Sequence, residues 1–299
     1  MSERSATPTT AQPDNTAKFD NVVRIYQAVS GEVHALRGVD VDFPRGSVTA
    51  IAGPSGGGKS TLLSILALRD RASAGTVTVF GNDVTRARGK TLKALRRSTI
   101  AWVPQRPGNG LLPHLSARDN LDQIARIRGR TGGWTAPEAL DRLGLVAQSD
   151  HRPGQLSGGE QQRLAVAAAL MHAPELVIAD EPTAELDDPN AERVVNALLD
   201  AAADGTTCVL STHDSRALRL LPRVLHLRHG VLSAERAGTG ELASGQVRIA
   251  EAVIDSAGRL QLPPDALRLF PARRAAIRIE GGAVILDPPQ QPEQPEQPE

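Results

Sequence analysis

Residues 48–61 read Val-Thr-Ala-Ile-Ala-Gly-Pro-Ser-Gly-Gly-Gly-Lys-Ser-Thr. A short, mostly apolar run ends in a glycine-rich loop, and the stretch from Thr61 to Leu68 that follows has helical composition. The loop itself, Gly53, Pro54, Ser55, Gly56, Gly57, Gly58, Lys59 and Ser60 with Thr61 behind it, fits the pattern G-x-x-x-x-G-K-[ST]. Glycines let consecutive backbone N–H groups turn toward one point, and the amino terminus of the following helix adds a positive dipole there. Lys59 then reaches terminal phosphates, and the Ser60 hydroxyl ligates a divalent cation. A Gly/Ser-rich turn that binds nothing would not need strand, loop and helix in this order. The stretch therefore predicts an α/β phosphate-binding fold that takes a nucleoside triphosphate with Mg²⁺.

The flanking sequence supports that class. Short Val/Ile-rich runs at 47–53, 76–81, 176–180 and 207–212 alternate with helical stretches, as in an α/β fold. Between 91 and 170 helices dominate, and both 119–129 and 137–145 carry apolar residues at helical spacing. A helical subdomain is expected there. Residues 1–17 and the Pro-Glu-Gln repeats at 288–299 hold little that can be buried, so both ends are expected to be disordered. The nucleotide domain is assigned to 18–236, a linker to 237–246, and a small β-rich domain to 247–287.

Composition sets outer bounds. With 40% hydrophobic and 23% charged residues among 299, the chain can build a core and is not disordered throughout. Lys plus Arg and Asp plus Glu both number 34, so no global basic field exists, which argues against nucleic acid as a partner. Cys208 is the single cysteine, which excludes an intrachain disulfide and a multi-cysteine metal cage and fits a reducing compartment. The amino-terminal residues lack the pattern of a secretory signal, and no apolar run approaches ~18 residues, so a cytoplasmic, non-spanning protein is expected.

Downstream, the run Leu-Val-Ile-Ala at 176–179 ends in Asp180 and Glu181. A continuous apolar run reads as a buried parallel strand, whose carboxyl end is where ligands sit in such sheets. Alone, an Asp-Glu pair there is as well read as a solvated turn. Joined to the phosphate loop, Asp180 becomes the metal ligand and Glu181 the group that polarises the attacking water.

Leu156-Ser157-Gly158-Gly159-Glu160-Gln161-Gln162-Arg163 resembles the signature of ABC transporters and opens a helix. Ser157 suits the N-cap, and Gly158 and Gly159 expose N–H groups, making a second anion site. The resemblance, over about residues 19–235, implies ATP as the nucleotide, hydrolysis to ADP and phosphate, and a head-to-tail dimer in which one chain's signature faces the other's phosphate loop. It further implies that Tyr26 stacks on adenine, that Gln105 touches Mg²⁺ and senses a membrane partner, that Asp187 lies in the loop crossing the dimer, and that His213 holds the γ-phosphate and orients Glu181. Any one of these residues alone is more often structural; their joint order carries the reading.

Within that family, residues 33–63, 111–121 and 156–163 resemble the lipoprotein-release, macrolide-export and cell-division branch. That implies a separate transmembrane permease as partner, a homodimer, and a place on the cytoplasmic face of the membrane. Departures are Pro104 before Gln105, Ala168 after the signature, and Glu185 in the crossing loop. Residues 247–286 resemble the AbrB-type swapped hairpin, notably at Asp255, Gly258, Arg259, Leu262 and Pro263, which implies dimerisation or regulation. The competing reading is a non-transport ATPase or DNA-associated regulator that uses Arg248, Arg259, Arg268, Arg273, Arg274 and Arg278. It lacks the second cassette, the long coiled-coil insert and the zinc cysteines expected of such proteins.

Overall fold

The computed structural model describes residues 14–29, 31–87, 89–128, 133–237, 251–254, 258, 260, 262, 264–270, 275–281 and 283–287. In chain order the elements are β1 (Asn15–Ala28), β2 (Gly31–Pro44), β3 (Val48–Ala52), α1 (Lys59–Leu66), β4 (Ala74–Val79), β5 (Asn82–Asp83), α2 (Lys90–Ser98) and β6 (Ile100–Val103). There follow α3 (Ala117–Arg128), α4 (Ala136–Arg142), α5 (Gly158–Leu170), β7 (Leu176–Asp180), α6 (Asp188–Ala203), β8 (Thr207–Ser211) and α7 (Ser215–Leu220). The chain continues through β9 (Arg223–Arg228), β10 (Val231–Ala237), β11 (Glu251–Ala252), α8 (Pro264–Leu267), β12 (Ala276–Glu280) and β13 (Ala283–Asp287).

The central sheet has the order β11-β10-β9-β3-β8-β7-β6, with β9 through β6 parallel and β10 and β11 antiparallel. Every residue of β3, β7 and β8 is buried, as expected of parallel strands covered on both faces. Successive side chains point to opposite faces, so β7 divides its residues between two cores. Val177 and Ala179 enter the layer formed with the helices α3 to α7, while Leu176 and Ile178 face α1 and the second sheet. Cys208 belongs to the first layer. Burial pushes its thiol up to about 12, and its Sγ faces the Leu198 carbonyl, so it is an inert core residue.

The second sheet is antiparallel, in the order β2-β1-β4-β5. It takes in the Val-rich run at 76–81, which the sequence pattern alone assigns only to an α/β alternation. Val77 and Val79 of β4 are buried with Phe19 and Phe43, and the two phenylalanine rings meet edge to face at 6.1 Å. Packing against this apolar face draws β4 out of the parallel core.

Three expected boundaries are corrected. β1 begins at Asn15, inside the stretch expected to be disordered, because Ala17 alternates inward with Phe19 and Thr16 Oγ1 lies 2.6 Å from Thr207 Oγ1. β6, inside the span expected to be a helical subdomain, pairs with β7 and belongs to the central sheet. β11, assigned by sequence to the small domain, instead extends the nucleotide-domain sheet through Ala234↔Ala252 and Glu235↔Glu251. Residues 1–13, 238–250 and 288–299 lie outside the described residues, as do Asp255, Arg259, Pro263, Arg248, Arg273 and Arg274 of the small domain. Its described part contains an Ile254↔Leu260 bridge around Gly258, the short α8, and the hairpin of β12 and β13 turning at Gly281.

Candidate functional site

The phosphate loop runs from the carboxyl end of β3 into α1. Gly58 has φ +101°, and a Cβ placed on it would come within 2.5 Å of the Ala35 carbonyl oxygen on β2; one on Gly53 would collide with the Leu227 carbonyl of β9. Both positions therefore require glycine. Gly57 N–H donates to Pro54 O at 3.0 Å, and Gly230 N–H donates to Gly57 O at 3.0 Å, which ties the loop to the β9–β10 turn. Buried Lys59 donates from Nζ to Gly53 O at 2.9 Å and Pro54 O at 3.2 Å, so its ammonium is held by the loop's own carbonyls.

Adjacent strand ends complete the site. Ser60 Oγ, at the start of α1, donates to Asp180 Oδ1 at 3.3 Å, and Ser211 Oγ, at the end of β8, donates to the same oxygen at 2.6 Å. Ser211 Oγ also accepts from Glu181 N–H at 2.9 Å. Glu181 sits at φ +52°, a left-handed conformation that costs a non-glycine residue and is held here by Ser211 through both its hydroxyl and its carbonyl. Its Oε2 lies 3.0 Å from His213 Nδ1. The carboxylate is only 11% exposed while the imidazole is 74% exposed, so the histidine's outer edge is open to a ligand. Buried Thr183 and Thr212 join the two loops at 3.1 Å.

The sequence expectations for Lys59, Ser60, Asp180, Glu181 and His213 thus converge in one place. Gln105 lies just past β6, exposed, and among the described residues no hydrogen bond joins it to Ser60 or Asp180. Tyr26, half-buried on β1, pairs with Val33, two residues along β2 from the carbonyl that touches Gly58. Ser211 and the Thr183–Thr212 pair were not anticipated. The β7–β8 register, which places Asp180 opposite Ser211, is the signal that would have found the serine.

Ser157, Gly158 and Gly159 lie elsewhere. Ser157 caps α5: Glu160 N–H donates to its Oγ at 3.3 Å, and the Glu160 carboxylate accepts from Ser157 N–H and Oγ, both at 2.8 Å. A Cβ on Gly158 would stand 3.2 Å from Glu185 Oε2, and one on Gly159 2.9 Å from Leu186 Cδ2, so the signature packs against the loop that carries Glu185 and Leu186 in the same chain. Asp187 in that loop caps α6, accepting from Asn190 N–H at 3.1 Å. The phosphate loop and the signature thus lie on different elements of the same chain.

Residues 36–184 match the ABC transporter family. The chain is 38% identical over 226 residues to the lipoprotein-releasing system ATP-binding protein LolD 1 of Rhodospirillum rubrum, covering 74% of this chain and 99% of that protein. The chain belongs to the ABC transporter family. Its cassette carries the ATP-binding ATPase domain of that family. It is also 38% identical over 232 residues to the macrolide export ATP-binding/permease protein MacB of Rhodopseudomonas palustris, of whose length it spans 35%. Among solved structures, an ATP-binding cassette dimer in a post-hydrolysis state bound to ADP and Pi matches with a TM-score of 0.68 at 32% identity, over 75% of this chain and 100% of that one.

The cassette's oxygen donors suit Mg²⁺. A hydroxyl from Ser60 and a carboxylate from Asp180 are hard ligands, and Mg²⁺ is typically held by one or two such groups plus substrate phosphates. Among the described residues no group of three or more His, Cys, Asp or Glu forms a metal cage, and no helix is long and apolar enough to cross a membrane.

Proposed function

We propose that this cassette binds ATP with Mg²⁺ at the phosphate loop, hydrolyses it at a site shared between two copies, and drives a separate transmembrane permease from the cytoplasmic face of the membrane. The observation that carries the reading is the Ser60–Asp180–Ser211–Glu181–His213 chain of contacts beside the phosphate loop. Lys59 and the loop N–H groups, released from internal contacts, bind the terminal phosphates and neutralise charge that builds on them. Ser60 and Asp180 would hold Mg²⁺, with Gln105 completing the set, and the ion would supply charge neutralisation to the phosphates. Glu181 accepts a hydrogen bond from the water that attacks the γ-phosphorus, and the new P–O bond forms as the bond to the ADP oxygen breaks. His213 holds Glu181 in place and meets the γ-phosphate with its exposed edge. Ser157, Gly158 and Gly159 of the opposite copy clamp the same phosphate, with Asp187 at the crossing loop.

Likeness to LolD and MacB favours export or cell-envelope work for the partner permease. The carboxyl-terminal hairpin supports a homodimer. Ile277, Ile279 and Val284 share one face of β12 and β13 and are 69%, 77% and 66% exposed, and an isolated two-stranded hairpin is marginal in water. Interleaving with the hairpin of a second copy, as in the AbrB-type module, would bury that face. Arg278 is paired with Glu280 and Asp287 at 2.8 and 2.9 Å, which weakens the case for DNA contact.

Glu181→Gln tests the reading directly: the variant should bind ATP, lose turnover and accumulate as an ATP-held dimer in light scattering. Normal phosphate release by that variant would sink the assigned role. Affinity purification in mild detergent should recover a permease; recovery of DNA or of soluble partners alone would favour the non-transport reading.

A further inference from the structure

Tyr26 is anchored by more than its strand. Its hydroxyl donates to Asp70 Oδ2 at 2.6 Å, and the Arg24 guanidinium lies 4.3 Å from the ring centroid. The same guanidinium grips Asp70 with both prongs, Nε to Oδ2 at 3.0 Å and Nη2 to Oδ1 at 2.7 Å, and Arg71 N–H donates to Oδ1 at 2.7 Å. Arg24 and Asp70 are each 22% exposed, so the pair is partly shielded from water. Burial alone would raise the Asp70 pKa. The Tyr26 hydroxyl, the Arg71 N–H and Arg24 outweigh it and hold the carboxyl below its ordinary value. The strand is pinned beside the ring as well, because Ile25 N–H donates to Ser73 Oγ at 3.0 Å and Ser73 N–H to Val23 O at 2.7 Å.

An aromatic ring has two faces. One face of Tyr26 carries the Arg24 cation, a favourable contact for a π-system. The hydroxyl is tethered at its far end, so the ring cannot swing out, and the Arg24 cation against one face resists its rotation. The turn that carries Asp70 follows α1, the helix that begins at Lys59 of the phosphate loop. One continuous segment therefore fixes both the phosphate cradle and the tether of the ring.

We infer that Arg24 and Asp70 are positioning residues that lock Tyr26 as a preformed platform, leaving the ring face opposite Arg24 to receive the adenine of ATP. The inference rests on the reading of Tyr26 as the adenine-stacking residue. Preorganisation lowers the ordering cost of binding the base and leaves the phosphate interactions untouched. The lock therefore acts on ATP and not on a ligand that consists of phosphates alone.

The full chain and its variants are titrated with ATP and with inorganic tripolyphosphate, each with Mg²⁺, by calorimetry. Arg24→Gln and Tyr26→Phe, which remove the cation and the tether separately, should each weaken ATP about three- to tenfold and leave tripolyphosphate within twofold. Arg24→Lys, which keeps a cation over the ring, should recover part of the loss. If Arg24→Gln and Tyr26→Phe weaken both ligands equally, or neither, the lock is a structural contact and the inference fails. Tyr26→Ala separates the two levels. If it leaves the ratio of ATP to tripolyphosphate affinity unchanged, the adenine reading itself is wrong; if it lowers that ratio while Arg24→Gln and Tyr26→Phe do not, only the positioning role falls.

Discussion

The phosphate loop and the signature helix are both made from glycine and a helix amino terminus, yet the chain treats them differently. Around the phosphate loop, buried Asp180 and Glu181 are joined through Ser211, buried Lys59 is held by the loop carbonyls of Gly53 and Pro54, and three strands deliver their ends to one point. At α5, Ser157 and Gly158 are exposed, the cap is satisfied by Glu160 of the same helix, and the neighbours are Glu185 and Leu186. On the proposed function, the first region is the reaction site and the second is the lid for another copy's site. That division would leave a structurally complete fold in need of a second copy to act.

If that division holds, the largest losses should come from the first region. Lys59→Ala removes the ammonium held at the loop, and phosphate release should fall by at least ~100-fold while the far-ultraviolet spectrum and thermal midpoint stay near those of the parent. Retained hydrolysis would show that the loop is not the reaction site. Ser157→Arg places a bulky cation at the signature, and it should abolish turnover while leaving ATP affinity of the monomer unchanged. Mixing the two inactive variants in equal amounts then sharpens the comparison. Half of the dimers would pair an intact loop with an intact signature at one of their two sites, so activity should return to about a quarter of the parent level. No recovery in a mixture that still dimerises would mean that both regions serve the same chain.

A smaller effect is expected from the carboxyl-terminal hairpin. A chain ending at Ile254 keeps β11 on the central sheet and removes α8, β12 and β13. It should bind ATP as before and dimerise about tenfold more weakly without nucleotide, because the exposed Ile277, Ile279 and Val284 face would no longer be available to a second copy. Equal self-association of both chains in sedimentation would remove the hairpin from the interface.

Much of the first region is legible from sequence because its signals are local. A strand, a glycine-rich loop and a lysine lie in one run of the chain, and Asp180 and Glu181 announce themselves by interrupting an apolar strand. What was not legible depends on pairing between distant segments. Ser211 matters because β7 and β8 align it with Asp180, and Asp70 matters because the turn after α1 returns to β1; neither residue has an unusual neighbourhood in sequence. The same holds for β4, which is drawn into the antiparallel sheet by Phe19 and Phe43, and for β11, which reads as part of the small β-rich domain until its pairing with β10 places it on the central sheet. In the second region Ser157 was legible as the cap, and the structure adds Glu160 as its capping-box partner.

The smallest effect tests whether that cap is built for stability alone. The Ser157 N–H and hydroxyl bonds are the largest influences on Glu160; together with Arg163 and His151 they outweigh burial and hold its pKa below the ordinary value. The sign follows from linkage. A carboxylate whose folded pKa lies below its unfolded value contributes its stability above the unfolded pKa and loses it as the pH falls through the folded one. Glu160→Gln keeps an acceptor for Ser157 but has no proton to take up. It should therefore cost about 1 kcal/mol or less near neutrality, and the difference from the parent should shrink as the medium is made more acidic than the ordinary carboxylate range. Thermal melts of both chains across that range measure it. If the difference is constant with pH, the charge on Glu160 contributes nothing to folding, and its place in the signature must be explained by what the α5 terminus meets in the closed dimer.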